Sequence, residues 1–358
     1  MGDFVWVFKF GRCAVVGLSC LLLACSARPC HASASLPEQT GFFAFTEEND
    51  SLAGPFGMSH QDRHYTQGLK LTLFGGDDFL TNTTAALDRM LPAWGIKPEA
   101  GDLGWILLGQ NIYTPSNLVT RTPIKTDRPY AGWLYTGAVY QRRGELAANL
   151  AIMESFEVNL GIVGTESLAD TAQQTWHRWF VKEDVPKGWD NQLHDEPGLV
   201  LKYARLWRYS PTTNTAHYID FIPRIGGDLG NVFTFATAGA TLRGGYNLPP
   251  DFGVQTIDSP AAANGGLTRD TPATFLYAFG SLDGRAVGHD ITLDGNSFRG
   301  GPSVEKNALV ADLSWGFAFQ VFRHIEFTYT HIVRTEQFQG QDGNDIFGSF
   351  TVKGKFCF

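Results

Sequence analysis

The chain has 358 residues, 18% of them charged, with 27 phenylalanines, 40 glycines and a net charge of −8. Charge is sparse beside the roughly 25% of an average soluble domain, and the acid excess without basic runs among aromatics speaks against a nucleic-acid partner. Past the N-terminus no segment approaches the ~18 apolar residues of a membrane-spanning helix, so the composition points to an all-β transmembrane barrel.

Taken in chain order, the first element is a secretion signal over residues 1–34. Lys9 and Arg12 precede an apolar stretch, Ala14 to Ala24, too short to span a membrane, and Ala32-Ser33-Ala34 is an A-x-A cleavage site. LLAC, ending at Cys25, offers a lipoprotein cleavage as a second reading, although a barrel needs no lipid anchor. Cleavage at Ala34 removes Cys13, Cys20, Cys25 and Cys30 and leaves only Cys357, so neither an internal disulfide nor a cysteine zinc site is expected.

Residues 35–358 then read as one barrel domain. Strands are predicted at 41–48, 63–75, 104–113, 130–143, 147–162, 198–209, 215–227, 231–246, 273–288, 306–320, 322–335 and 346–358. The period of two is clearest near the end. Leu309, Leu313, Trp315 and Phe317 alternate with Val310, Asp312, Ser314 and Gly316, and Phe350 and Val352 alternate with Thr351 and Lys353. The inner faces are expected to be mostly Gly, Ala, Thr and Ser, with few charges. The Pro/Gly/Asn-rich stretch Asn247 to Pro272 reads as a loop. Twelve strands, an up-and-down antiparallel barrel, put both termini on the periplasmic side. The external connections are then 49–62, 114–129, 163–197, 228–230, 289–305 and 336–345.

The longest of these, 163–197, contains TAQQTWHRWF, which reads as a helix. At ~100° per residue Gln173 and His177 share a face one turn apart, with Trp176, Trp179 and Phe180 as an aromatic arc beside them and Arg178 pointing away. A lone histidine is most often an ordinary polar group. What raises its interest is company from other external loops. Glu47-Glu48-Asn49-Asp50 and Asp62-Arg63-His64-Tyr65-Thr66 are oxygen-rich stretches of the kind that suits Ca²⁺. Arg121 and Arg128, facing outward, offer phosphate contacts. Turn solvation and snorkelling are the bland readings of the same residues. No G-x-S-x-G elbow occurs, so a histidine acting as general base on water, with a metal-polarised carbonyl, fits better than a serine hydrolase.

The segments END (48–50), DRHYTQGL (62–69), GQNIYTPS (109–116), DRPYAGWLYTG (127–137), LGIVG (160–164), AQQTWHRW (172–179) and GWDNQL (188–193) together resemble the outer-membrane lipid A 3′-O-deacylase family. The resemblance implies a twelve-stranded barrel with a Ca²⁺-dependent, phospholipase-A2-like site between the barrel wall and a loop helix, facing the outer leaflet. It implies His177 as base, with Gln173, Glu183 and Asn49 completing the catalytic pocket. Asp50 and Thr66 would hold the metal, while Arg121 and Trp176 would contact the substrate, lipid A of lipopolysaccharide. The family's basic pair falls on Thr120-Arg121, so one cation is missing and Lys125 is the nearest substitute. A monomer is expected. The competing readings are a passive channel or structural barrel and an outer-membrane phospholipase.

Overall fold

Apolar side chains at every second position can all be buried only against lipid, while the backbone must satisfy its own hydrogen bonds; a closed sheet meets both demands. The computed structural model describes residues 40–56, 63–75, 84, 86–91, 100–178, 186–211, 218–254, 256–258, 272–322 and 324–357. The signal segment therefore lies outside the described residues. The strands are β1 (Thr40–Asn49), β2 (His64–Phe74), β3 (Ala100–Thr114), β4 (Ala131–Ala147), β5 (Leu150–Val163), β6 (Glu196–Tyr209), β7 (Ile219–Gly230), β8 (Phe233–Tyr246), β9 (Phe275–Asp290), β10 (Leu309–Val321), β11 (Ile325–Arg334) and β12 (Asp345–Cys357). Each pairs with its neighbour in sequence, and β1 closes on β12 from Thr40↔Cys357 to Asn49↔Gly348. Twelve strands were expected, and the boundaries shift by only a few residues.

An even count brings the two termini to one end, here called the terminal end; the opposite one is the loop end. No helix among the described residues is long and apolar enough to cross a membrane, so the strands do the crossing. The outer wall follows the sequence pattern: Leu309, Leu313 and Phe317 are 76%, 51% and 40% exposed, while Val310 and Ala318, on the opposite face of the strand, are buried.

The lumen departs from expectation. It is crowded with charges in matched pairs. Lys70 reaches Glu157 at 3.4 Å, Lys202 reaches Asp228 at 3.5 Å, and Arg334 and Arg285 share Asp312. Arg224 pairs with Asp283, and Lys353 with Glu326 at 3.2 Å. A buried charge is tolerated only when it is paired and hydrogen-bonded. Removing one partner is therefore costly. The same rule holds for a buried pair on the outer wall near the terminal end, where Glu154 accepts from Arg142 Nε at 2.6 Å and from the Tyr203 hydroxyl at 2.7 Å, with both charged side chains almost fully buried. Glu154→Ala is expected to lower stability by about 3–5 kcal/mol, read as a shift in the urea midpoint of the folded, heat-modifiable band.

Asn247 to Pro272 is also more than a surface connection. Asp251 pairs with Arg243, and Phe252 packs among Met153, Leu206 and Ile222, all of them lumen-side residues. The chain after β8 thus turns back into the barrel instead of staying at the terminal end.

Candidate functional site

Two segments fold back onto the outer wall at the loop end. The first is a 3₁₀ segment, Asp50–Phe56, directly after β1. It packs on β12, β1 and β2. Leu52 lies over Gly348, where an added Cβ would meet the Leu52 Cβ at 2.7 Å, and the Leu52 carbonyl accepts from the Tyr329 hydroxyl at 2.9 Å. The second is α1 (Ala169–Trp176), which rides on β3 and β4. Its approach needs a glycine beneath it: a Cβ on Gly132 would lie 2.4 Å from the Ala169 Cβ and 2.0 Å from the Ser167 hydroxyl. Gly132 alternates with the lumen-facing Trp133, so α1 sits outside the barrel. Ala169 packs there with Ile112, Tyr130 and Trp189. The outer faces of β1 and β2 are left as the floor between the two segments.

The expected site residues divide between these segments. Asn49 ends β1 opposite Gln67, and Asp50 begins the 3₁₀ turn; both are buried. The Asn49 side-chain carbonyl accepts from the Ser51 N–H at 2.8 Å, an Asx-type turn that fixes how the chain leaves the strand. Thr66 occupies a bulge, since the β2–β3 register slips between Tyr65 and Gln67. The bulge puts Tyr65 inside the barrel and brings the Thr66 hydroxyl to that of Thr114, 2.7 Å away.

On α1, Gln173 and His177 are one turn apart and both buried, as the periodicity predicts. The His177 N–H points at the Gln173 and Gln174 carbonyls, in a wider last turn that reaches Arg178. Trp176 is half-buried and Arg178 is exposed, bonded to Gln174 at 2.9 Å. The Trp189 indole N–H donates to Gln173 Oε1 at 2.9 Å and leaves the buried Gln173 Nε2 without a hydrogen-bond acceptor among the described residues. The indole thereby fixes which way the amide faces. Trp189 carries no charge and no reactive group, so only its place in GWDNQL hinted at it. Glu183, Trp179, Phe180 and Asp62 lie outside the described residues.

Two expectations need correction. Glu48 does not join the oxygen cluster of its neighbours. It faces the lumen, where it accepts from the Tyr65 hydroxyl. Arg128 is not outward-facing. It is buried, donates to Gln337 at 3.1 Å and Thr292 at 2.7 Å, and lies over the Tyr113 ring at 4.7 Å, contacts that offset part of the cost of taking its charge out of water. His64, within the second oxygen-rich stretch, is engaged in hydrogen bonds at the rim. Its Nδ1 is 2.6 Å from Asp345, and its Nε2 is 3.1 Å from the Ser116 hydroxyl and 3.4 Å from Asp127.

That last group has the connectivity of a Ser–His–Asp triad, but a base needs a bare nitrogen facing the serine. Here a second carboxylate shares it. Burial pushes the Asp127 carboxyl up, yet hydrogen bonds from His64 and the Ser116 and Arg128 N–H groups outweigh that and bring it down to about 2. An ionised Asp127 favours N–H donation from His64, so the cluster ties three loops together at the rim.

Arg121 is exposed, and its carbonyl accepts from Asn191 at 2.7 Å. Thr120 and Lys125 line one cleft of about 330 Å³ with Arg128, Tyr130 and Asn191, so Lys125 is placed on the same depression as the residue whose charge is missing.

Among the described residues no three His, Cys, Asp or Glu side chains gather as a metal site. The Asn49–Asp50–Thr66 corner instead offers one buried carboxylate with an amide and a hydroxyl oxygen. That all-oxygen donor set fits a hard cation and not a transition metal.

Comparison with known proteins agrees with this architecture. The family model described as outer membrane protein LpxR matches residues 16–356. No curated protein matches the sequence. Among solved structures, LpxR from Salmonella typhimurium is similar at 20% identity and a TM-score of 0.67, over 88% of this chain and 100% of that one. The translocator domain of the autotransporter NalP from Neisseria meningitidis aligns over 100% of both chains at 9% identity and a TM-score of 0.38.

Proposed function

The chain belongs to the LpxR family of outer-membrane proteins, and from that premise we propose that it is a lipid A deacylase, hydrolysing the 3′-linked acyloxyacyl ester. The observation that carries the reading is the buried Gln173–His177 pair on a helix held outside the barrel wall, beside strands whose outer ends carry Asn49, Asp50 and Thr66. A site on the outer face admits a lipid from the side; a soluble-substrate enzyme would have no use for that placement.

In this reading His177 removes a proton from a water as the water oxygen bonds to the ester carbonyl carbon. The C–O bond to the sugar then breaks, and the proton held on the imidazole passes to the leaving sugar oxygen, which restores neutral His177. Gln173, oriented by Trp189, directs its free Nε2 donors at the water or the developing oxyanion. Glu183, by its place in the motif, would complete the catalytic set. Asp50 and Thr66, with Asn49 beside them, would hold Ca²⁺, which when bound supplies positive charge to the carbonyl oxygen. Trp176 lies along the acyl chains, and Arg121 and Lys125 face the phosphorylated sugar.

The site would face the outer leaflet with the termini in the periplasm. The protein would act as a monomer, the closed sheet leaving no strand edge for a second copy to complete. A passive channel is disfavoured by the ion pairs that cross the lumen, among them Arg334 with Asp312 and Asp258 and Lys70 with Glu157. Expression in a Gram-negative host with intact lipid A, followed by mass analysis, tests the proposal. Loss of the 3′ acyloxyacyl group is expected. Lipid A left intact while glycerophospholipid is cleaved would establish the phospholipase reading instead.

A further inference from the structure

The chain after β8 climbs the inside of the barrel. At its foot Asp251 pairs with Arg243, which Asp220 also holds at 2.6 and 2.8 Å. Seven residues on, Asp258 accepts from Arg334 at 3.1 Å. Arg243 is near the terminal end of β8, whereas Arg334 is the last residue of β11, at the loop end. Seven residues of chain can span at most about 25 Å, enough to link a contact near one end of the barrel to a contact near the other.

Near the top, one carboxylate receives the strut. The Ile257 N–H donates to Glu48 Oε1 at 2.8 Å, and the Tyr65 hydroxyl donates to Glu48 Oε2 at 2.9 Å. Arg334 covers the Tyr65 ring at 5.8 Å. Glu48 is the residue before Asn49, and Tyr65 is the residue before Thr66. Alternation sends Glu48 inward and Asn49 outward, so each lumen contact is one residue from a group of the outer corner. Part of that corner lacks a regular ladder, because the bulge at Thr66 interrupts pairing with β3 and Asp50 lies beyond the last paired residue of β1. A tie from the inner side replaces what the ladder does not supply.

We propose that residues 248–254 and 256–258 form an internal strut that fixes the spacing of Asn49, Asp50 and Thr66 through the barrel wall, with Glu48 and Tyr65 as positioning residues. The functional part of this inference rests on the deacylase reading; the mechanical part does not. Neither positioning residue touches substrate. Their effect is on the distance between oxygens that must converge on one cation, so loosening them weakens metal response and turnover before it weakens lipid capture.

The test uses the full refolded barrel. Tyr65→Phe removes one hydroxyl, and Asp258→Asn weakens the upper anchor. Glu326→Gln, which faces Lys353 and Lys355 at the terminal end of β11, serves as the control. Amide hydrogen exchange of peptides covering 45–52 and 64–68 is measured by mass spectrometry, together with deacylation kinetics against Ca²⁺ and lipid concentration. In both strut variants exchange in these peptides rises by roughly tenfold, the scale of one lost buried hydrogen bond. kcat falls and the half-saturating Ca²⁺ rises by a similar factor, while KM for lipid stays within about twofold. The control moves none of these. Unchanged exchange in both strut variants overturns the strut. Raised exchange with unaltered kcat and Ca²⁺ response overturns the positioning role. Wild-type protein without deacylase activity would sink the functional reading alone, since exchange still decides whether the strut holds the corner.

Discussion

His177→Ala is expected to abolish deacylation, by at least about 10²-fold and up to 10⁴-fold, the range a positioned general base contributes. The barrel should persist. His177 lies at the C-terminal end of α1, on the outer wall and away from the strand pairing that closes the sheet. The variant should therefore still run as a folded, heat-modifiable species and insert into the outer membrane. Mass analysis of lipid A from cells expressing it reads the effect directly. Wild-type removal of the 3′ chain by the alanine variant would exclude His177 as the base.

The second large effect is expected from the cation. A chelator should stop the reaction and added Ca²⁺ should restore it. Asp50→Ala should be inactive at any Ca²⁺ concentration, because Asp50 is the only carboxylate among the three proposed oxygen donors. A site with one protein carboxylate leaves most of the coordination to neutral oxygens and water, which puts its affinity toward the weak end of calcium sites. Half-saturation is thus expected near millimolar, of the order found for extracellular modules. Full activity in chelator would exclude the metal from the mechanism while leaving the fold and the family untouched.

The outer wall was legible in the sequence because lipid imposes one rule on every strand. Leu309, Leu313 and Phe317 could be assigned outward from a single local window. The lumen was not legible in this way. Its charges are thinly spread, about one or two per strand, and find partners far along the chain: Lys70 with Glu157, Arg224 with Asp283, Arg334 with Asp258. Each alone resembles a solvated polar position. Asn247 to Pro272 has the composition of a turn, and nothing local reveals that Asp251 and Asp258 have arginines waiting at both ends of the barrel. Arg128 misled for a related reason. Its neighbours in DRPY are polar, but its acceptors, Thr292 and Gln337, are more than a hundred residues away.

The candidate site shows the same division. Gln173 and His177 could be paired from helical spacing alone, and the parity of β1 could have separated Glu48 from Asn49. Trp189 could not be anticipated, since an indole that orients an amide 16 residues earlier in the chain leaves no pattern of its own. The motif resemblance drew attention to GWDNQL; the hydrogen bond supplies the reason.

The helix lies against the exterior of the cylinder, over Gly132 and Ile112, and this has a kinetic consequence. A molecule reaching it arrives by diffusion within the leaflet, so the quantity that sets the encounter rate is the number of target molecules per unit of membrane area. Diluting the lipid in inert detergent at constant bulk amount would slow turnover as strongly as removing substrate, and crowding the leaflet would speed it with no change in the protein.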